Sequence, residues 1–274
     1  KIFEVKERPS FDPLIVHIAD TDTIKELTEN TDQRVFTLAE KFWPGPLTLV
    51  LPKSKKVPDI VTSGLDTVGI RMPDNKIALE LIKASGCPIA APSANKFGRI
   101  SPTRAQHVKK QLPEVDFILD GGATSVGIES TVITLHDDGF VILRQGIITR
   151  DDIEQVIPYS KQKITLHEKL SSPGIVKSHY SPEKPLYISG ENNKIPITDN
   201  AAFLSFGSIP VTTFKRIEYL SENGNLKEAA VNLFQKLHLL EESDVDFIVA
   251  EPVPETGIGV AIMDRLRKAA FKYK

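Results

Sequence analysis

Residues 1–157 alternate short β-rich runs with helical segments, and that alternation restricts the fold more than any other feature of the chain. Pro13 to Ile18 is an apolar strand run with His17 near its end, and Asp20, Thr21 or Asp22 can cap the helix through Ile24 and Leu27. A helix over Asp32 to Phe42 is ended sharply by Trp43-Pro44-Gly45-Pro46. Leu47 to Leu51, Thr67 to Met72 and Ile89 to Ala91 read as strands, with a helix over Asn75 to Ala84 between the last two. Phe117 to Leu119 is a further apolar run that leads into Asp120-Gly121-Gly122. Such alternation implies a twisted open α/β sheet with flanking helices.

Val132 to Leu135 and Val141 to Leu143 flank an Asp138-Gly139 step, a hairpin signal that sets Arg144 at a strand end. Ligands in open α/β sheets collect at such ends, which favours a functional arginine over a solvated one. After a helix near Arg150 to Val156, no period is sustained from Pro158 to Lys184, which reads as a linker. Beyond it, strand-like runs at Leu186 to Ser189, Ala201 to Ser205 and Phe247 to Ala250 accompany helical spacing over Asn225 to Leu240 and Val260 to Phe271. The expected organisation is a first α/β domain at 1–157, a linker at 158–184 and a small Rossmann-like α/β domain at 185–274. A hydrophobic content of 41% with 26% charged residues excludes a disordered chain.

A net charge of −2 gives no case for a dedicated nucleic-acid or membrane-surface protein. The one cysteine excludes an internal disulfide, and Cys87, following an apolar helix, reads as a buried thiol in a reducing compartment. No paired base adjoins it, so it is not expected to be catalytic. No run approaches the roughly 20 apolar residues of a membrane span and no signal peptide is visible, so the cytoplasm is the expected location and no membrane partner is expected.

Several polar residues stand where chemistry is possible. Lys6 and Arg8, two apart before Pro9, share one face if that segment is extended, and a solvated surface pair is the plain alternative. Ser93 and Asn95 alternate in a turn after an apolar run, and Ser130 and Thr131 precede a β-branched strand; each is also an ordinary turn or strand residue. Arg71 at a strand end can meet a substrate carboxylate or an outer acid. His17 is as readily a satisfied core histidine. The remaining histidines have no metal-ligand spacing, so no metal site is expected. Neither a Gly-x-x-x-x-Gly-Lys-Ser/Thr loop nor a Gly-x-Gly-x-x-Gly turn occurs, and any nucleotide is held by fixed charge instead.

Read jointly, Lys6-x-Arg8-Pro9, Pro13-Leu14-Ile15-Val16-His17, Phe42-Trp43-Pro44-Gly45-Pro46-Leu47-Thr48, Arg71-Met72-Pro73, Ala91-Pro92-Ser93-Ala94-Asn95, Ser101-Pro102-Thr103, Glu129-Ser130-Thr131-Val132 and Arg144-x-Gly146 closely resemble the threonylcarbamoyl-AMP synthase family with its YrdC-type domain. His179-Tyr180-Ser181-Pro182 and Gly257-Ile258-Gly259 through Leu266 resemble its long, two-domain form. The resemblance implies synthesis of threonylcarbamoyl-adenylate and pyrophosphate from L-threonine, bicarbonate and ATP with Mg²⁺, a nucleotidyltransferase reaction that serves tRNA through a threonylcarbamoyl transferase partner. It implies that Lys6, Arg8, Ser93 and Asn95 form a catalytic tetrad around ATP. Asp12, Thr67, Ala91, Ser101, Arg144, Tyr180 and Ser181 are implied as further nucleotide contacts, with Tyr180 able to cover the pocket. His17, Arg71 and Ser130 are implied on the threonine side.

The resemblance also implies a preceding segment of about fifty residues with a strand and a Thr-rich turn, in a fold whose domains commonly run 100–150 residues. Asp12 stands where the family usually has Asn, and Ile175-Val176 depart from its commoner linker. The rival expectation is a non-catalytic module that binds tRNA or double-stranded RNA through phosphate contacts. A third is carbamoyl transfer to another acceptor.

Overall fold

In a computed structural model that describes residues 1–30, 32–174, 178–191, 195–196, 198–207, 210 and 213–273, six of the apolar runs pair into one mixed sheet. Its strands are β1 (Ile15–His17), β2 (Leu47–Pro52), β3 (Thr67–Arg71), β4 (Ile89–Ala90), β5 (Thr131–His136) and β6 (Gly139–Arg144), in the order β4-β1-β3-β2-β5-β6. β1/β3 and β2/β5 are parallel, whereas β1/β4, β2/β3 and β5/β6 are antiparallel. The last pair closes at His136 opposite Gly139, so the two-residue turn is Asp137-Asp138, and Gly139 opens β6 instead of sitting in the turn as the Asp-Gly step led one to expect.

The helix Gln33–Phe42 starts where the Asp32 carboxylate accepts the Arg34 amide. It buries Val35, Leu38 and Ala39 in one core with Val16, Leu47, Leu49, Ile70 and Ile133. Each buried Val, Leu or Ile among them contributes roughly 1.5–3 kcal/mol. Trp43 ends the helix, and its indole donates to Leu47 O at 2.7 Å, which pins the entry to β2. The helix Lys76–Ser85 is capped by Asn75 and stops at Gly86, whose φ of 65° is left-handed.

The later strands β7 (Leu186–Ile188), β8 (Ala201–Ser205), β9 (Arg216–Tyr219) and β10 (Phe247–Ala250) form a second, all-parallel sheet in the order β7-β10-β8-β9. The helix Leu226–Glu242 buries Ala229, Leu233, Phe234 and Leu237, and the helix Gly259–Ala269 buries Ile262 and Leu266. By packing, Arg8–Pro92 and Glu129–Ile175 make one compact unit around the mixed sheet. Lys1–Glu7, Ser93–Ile128 and Val176–Lys274 make the other, around the parallel sheet. The chain is thus an α/β protein with a twisted sheet, flanking helices and a second α/β body.

Three local expectations are corrected and one strand is added. Lys6 and Arg8 do not lie on an extended segment, because Ile2–Val5 is a helical turn, Lys6 is its α-region cap and Glu7 has a φ of 54°. Phe117–Leu119 is no strand: no strand among the described residues offers it a ladder, and Phe117 is 94% exposed. β9 was not expected from sequence, since Arg216-Ile217-Glu218-Tyr219 is a short edge strand with charged residues. Cys87 is exposed rather than buried, because Gly86 turns the chain outward after a helix that buries only Ile82.

Within 158–184, a short helix spans Leu166–Leu170, and Ile175-Val176 lie outside the described residues. No helix among the described residues is long and apolar enough to cross a membrane.

Candidate active site

Sheet register gathers the first group of residues expected at the site. His17 pairs with Arg71 across β1/β3, Thr48 with Val132 across β2/β5, and Val132 with Arg144 across β5/β6. Continuing the Leu49–Ile70 register by one sets Thr48 beside Arg71. His17, Arg71, Thr48, Val132 and Arg144 therefore form one row across the sheet, with neighbouring strands about 4.8 Å apart. Register partners share a face, so residues remote in sequence meet there.

The row is cationic and poorly solvated. Burial is the main cause that lowers the Arg71 pKa to about 10, Asp74 opposes it, and Arg144 adds like-charge repulsion. Burial likewise lowers Arg8, with Asp12 opposing and Arg144 again repelling. Arg8 and Asp12 pair at 2.9 Å with side chains only 5% and 3% exposed. The Arg8 Nε and Nη2 also donate to the carbonyls of Asp12 at 3.1 Å and Pro13 at 2.8 Å. Burial first, then Arg71, pushes His17 down to about 4, so it is neutral at pH 7, although the Ile89 and Ile15 carbonyls pull the other way. Its Nδ1 is buried with no hydrogen-bond partner.

Arg144 is fixed from three sides. Its Nε and Nη2 donate to Ser130 O at 3.1 and 3.0 Å, its Nη2 to Ser130 Oγ at 2.9 Å, and its Nη1 to Pro173 O at 3.2 Å. Ser130 Oγ lies 2.8 Å from Thr48 Oγ1, and Thr48 is fully buried. Sequence reasoning missed Thr48 as a site residue; its place in Pro46-Leu47-Thr48, one step from the strand start, is the signal that was available. Thr67 stands apart, at the other end of β3, roughly 13 Å along the strand from Arg71. Ala91 donates its amide to Ile15 O at 3.0 Å just beyond β4.

The remaining expected residues lie in the unit of the parallel sheet. The Lys6 ammonium donates to Ser93 O at 2.7 Å and to Asn95 O, so it braces the Ser-Ala-Asn turn, and Phe97 N donates to Lys6 O at 2.8 Å. Asn95 Nδ2 donates to Lys96 O at 2.8 Å and Arg99 O at 3.1 Å, which leaves its buried Oδ1 with no partner. Ser101 is buried, and its carbonyl lies 3.1 Å from His238 Nε2. Tyr180, at a φ of 61°, is buried against His179, Phe234 and Arg265. Ser181 N donates to Gly98 O at 2.8 Å.

Desolvated guanidiniums that repel one another over a mixed sheet, with hydroxyls at the same row, define an anion-binding α/β protein. A family model described as "Telomere recombination" matches residues 1–146 and one described as "Threonylcarbamoyl-AMP synthase, C-terminal domain" matches residues 148–271. The threonylcarbamoyl-AMP synthases of Bacillus subtilis (strain 168) and Pyrococcus abyssi (strain GE5 / Orsay) are 44% and 40% identical, each over 98% of this chain and 82% and 83% of theirs. The chain belongs to the threonylcarbamoyl-AMP synthase family. The crystal structure of P. abyssi Sua5 complexed with L-threonine superposes with a TM-score of 0.84 at 38% identity, covering 98% of this chain and 83% of that one.

Proposed function

We propose that the chain is a nucleotidyltransferase that forms threonylcarbamoyl-adenylate and pyrophosphate from L-threonine, bicarbonate and ATP. The observation that carries this reading is the buried row of His17, Arg71 and Arg144 with Ser130, in a chain 44% identical to a threonylcarbamoyl-AMP synthase over 98% of its length. The neutral threonine amine adds to CO2 with loss of a proton to solvent, or to bicarbonate with loss of water, to give a carbamate, and a carbamate oxygen attacks the α-phosphorus while pyrophosphate leaves. Arg8 and Arg144 offset the anionic repulsion and the charge that develops on the leaving group. Arg71 takes the threonine carboxylate. His17, neutral at pH 7, accepts a hydrogen bond from the amine through its unpartnered Nδ1. Fixing the reactants can supply roughly 7–11 kcal/mol of the barrier, and no covalent nucleophile is needed.

Roles for Lys6, Ser93, Asn95, Ser101, Asp12, Thr67, Ala91, Tyr180 and Ser181 toward ATP are proposed from the family resemblance. The unpartnered Asn95 Oδ1 suits a donor on the nucleotide. Among the described residues no three His, Cys, Asp or Glu side chains are grouped to hold a metal ion, and Asp12 is engaged by Arg8. Mg²⁺ is proposed to enter with ATP, where it would offset part of the phosphate charge. The product is proposed to pass to tRNA through a separate threonylcarbamoyl transferase in the cytoplasm. The RNA-binding alternative is not favoured, since Arg8 and Arg144 are buried and bonded to protein carbonyls rather than set on an open basic face.

The test is pyrophosphate release in the presence of ATP, with and without L-threonine and bicarbonate. Release should depend on both and fall on the order of 10²- to 10³-fold in Arg144→Ala. Release that is indifferent to threonine rejects the proposal.

A further inference from the structure

We infer that Thr48 is a positioning residue that fixes the direction of the Ser130 hydroxyl, so that Ser130 offers its proton to the substrate beside Arg144. The inference rests on the reading above. A serine hydroxyl has one proton and two lone pairs. Arg144 Nη2 donates to Ser130 Oγ at 2.9 Å and so takes one lone pair. The contact to Thr48 Oγ1 at 2.8 Å allows two arrangements.

If Ser130 donates to Thr48, the Thr48 proton needs another acceptor, and among the described residues that fully buried hydroxyl has no partner but Ser130. An unmade hydrogen bond from a buried donor is costly. If Thr48 donates to Ser130 instead, both Ser130 lone pairs are filled by Arg144 and Thr48, and only the Ser130 proton is left over. That proton then calls for an acceptor supplied from outside the protein, next to a guanidinium. An anionic oxygen satisfies it, and a carboxylate oxygen of L-threonine is the substrate group of that chemistry. Thr48 thus acts through Ser130, with no contact of its own to the substrate.

The experiment is a double-mutant cycle over Thr48→Val and Ser130→Ala, read by calorimetric titration of the full chain with L-threonine and by saturation kinetics for threonine and ATP. Thr48→Val should weaken threonine binding roughly ten- to a hundred-fold, the loss of a hydrogen bond to a charged group. The KM for ATP should stay within about twofold, and Thr48→Ser should restore threonine binding. The double variant should bind threonine no worse than Ser130→Ala alone, because the two act on one bond. Thermal melts of each variant separate misfolding, and Thr48→Ser keeps the test open should Thr48→Val unfold.

Unchanged threonine affinity in Thr48→Val, additive losses in the double variant, or equal losses for ATP and threonine would overturn the inference. If the wild type bound threonine but released no pyrophosphate, the proposed reaction would fail while the cycle still read the Thr48 role. A wild type that did not bind threonine would sink both.

Discussion

Asp12 and Arg8 are both buried, and their pairing at 2.9 Å puts a carboxylate beside a guanidinium proposed for ATP. Removing that negative charge should strengthen anion binding, while the two carbonyl bonds of Arg8 remain to hold it. Asp12→Asn is therefore expected to lower the KM for ATP several-fold and to cost about 1–3 kcal/mol of stability. ATP saturation curves and urea unfolding check the two effects. A raised KM would mean that Asp12 serves to orient Arg8 rather than to mask it. At this scale sequence singled out residues that the sheet brings together, but not the conformation that carries them. Arg71, Arg144, His17 and Ser130 were all legible, but the turn at Glu7 was not, since a left-handed glutamate between two cations leaves no signal in residue type.

The row of β-strand residues depends on how tightly β5 and β6 are held at one end. A Cβ on Gly146 would lie 2.3 Å from Thr131 N and 2.7 Å from Glu129 O, backbone that cannot yield without moving Ser130. Gly146→Ala should destabilise by about 1–3 kcal/mol and raise the KM for threonine, measured by thermal melting and threonine saturation.

A second pair of elements, the helices Ala105–Gln111 and Leu226–Glu242, meets through His107 and His238, stacked at 3.8 Å. Burial first, then His107, pushes His238 down to about 4, with Glu242 and the Ser101 carbonyl opposing and Lys110 assisting. His17 is held near 4 as well, against an ordinary histidine value of 6.5. Between those values the unfolded chain binds protons that the folded chain does not. Stability should therefore be full above about pH 6.5 and fall toward pH 4, by about 1.4 kcal/mol per pH unit for each histidine. Burial lowers His107 in the same direction, urea midpoints at pH 7 and pH 5 measure the fall, and His238→Gln should reduce it. Helices and strands with strong periodicity were legible because pattern alone fixes them. The pairing order was not, because register joins residues distant in the chain, as Val132 opposite Arg144 and Thr48 opposite Val132 show.

Over the whole molecule, packing does not follow chain order. Ser93–Ile128 belongs with Val176–Lys274, as the close approach of Gly127 to Val231 shows: a Cβ there would lie 2.2 Å from Val231 O. The His107–His238 stack and the Lys110–Glu242 pair at 3.0 Å add to that packing. A division at 157 and 184, proposed from the loss of periodicity, describes the order of segments along the chain and not this association. A fragment of residues 1–157 should consequently lose amide protection over 93–128, including the Ser93–Asn95 turn, while the mixed sheet stays protected. Hydrogen exchange on the fragment and the full chain decides it; equal protection over 93–128 would show that segment to be self-supporting.

The lone thiol, open to solvent just past Gly86, gives the molecule a single natural point of attachment. A maleimide dye should couple there once per native chain, two residues before Ile89, the strand partner of His17, and its anisotropy would report nucleotide or threonine binding in a protein that carries only one tryptophan.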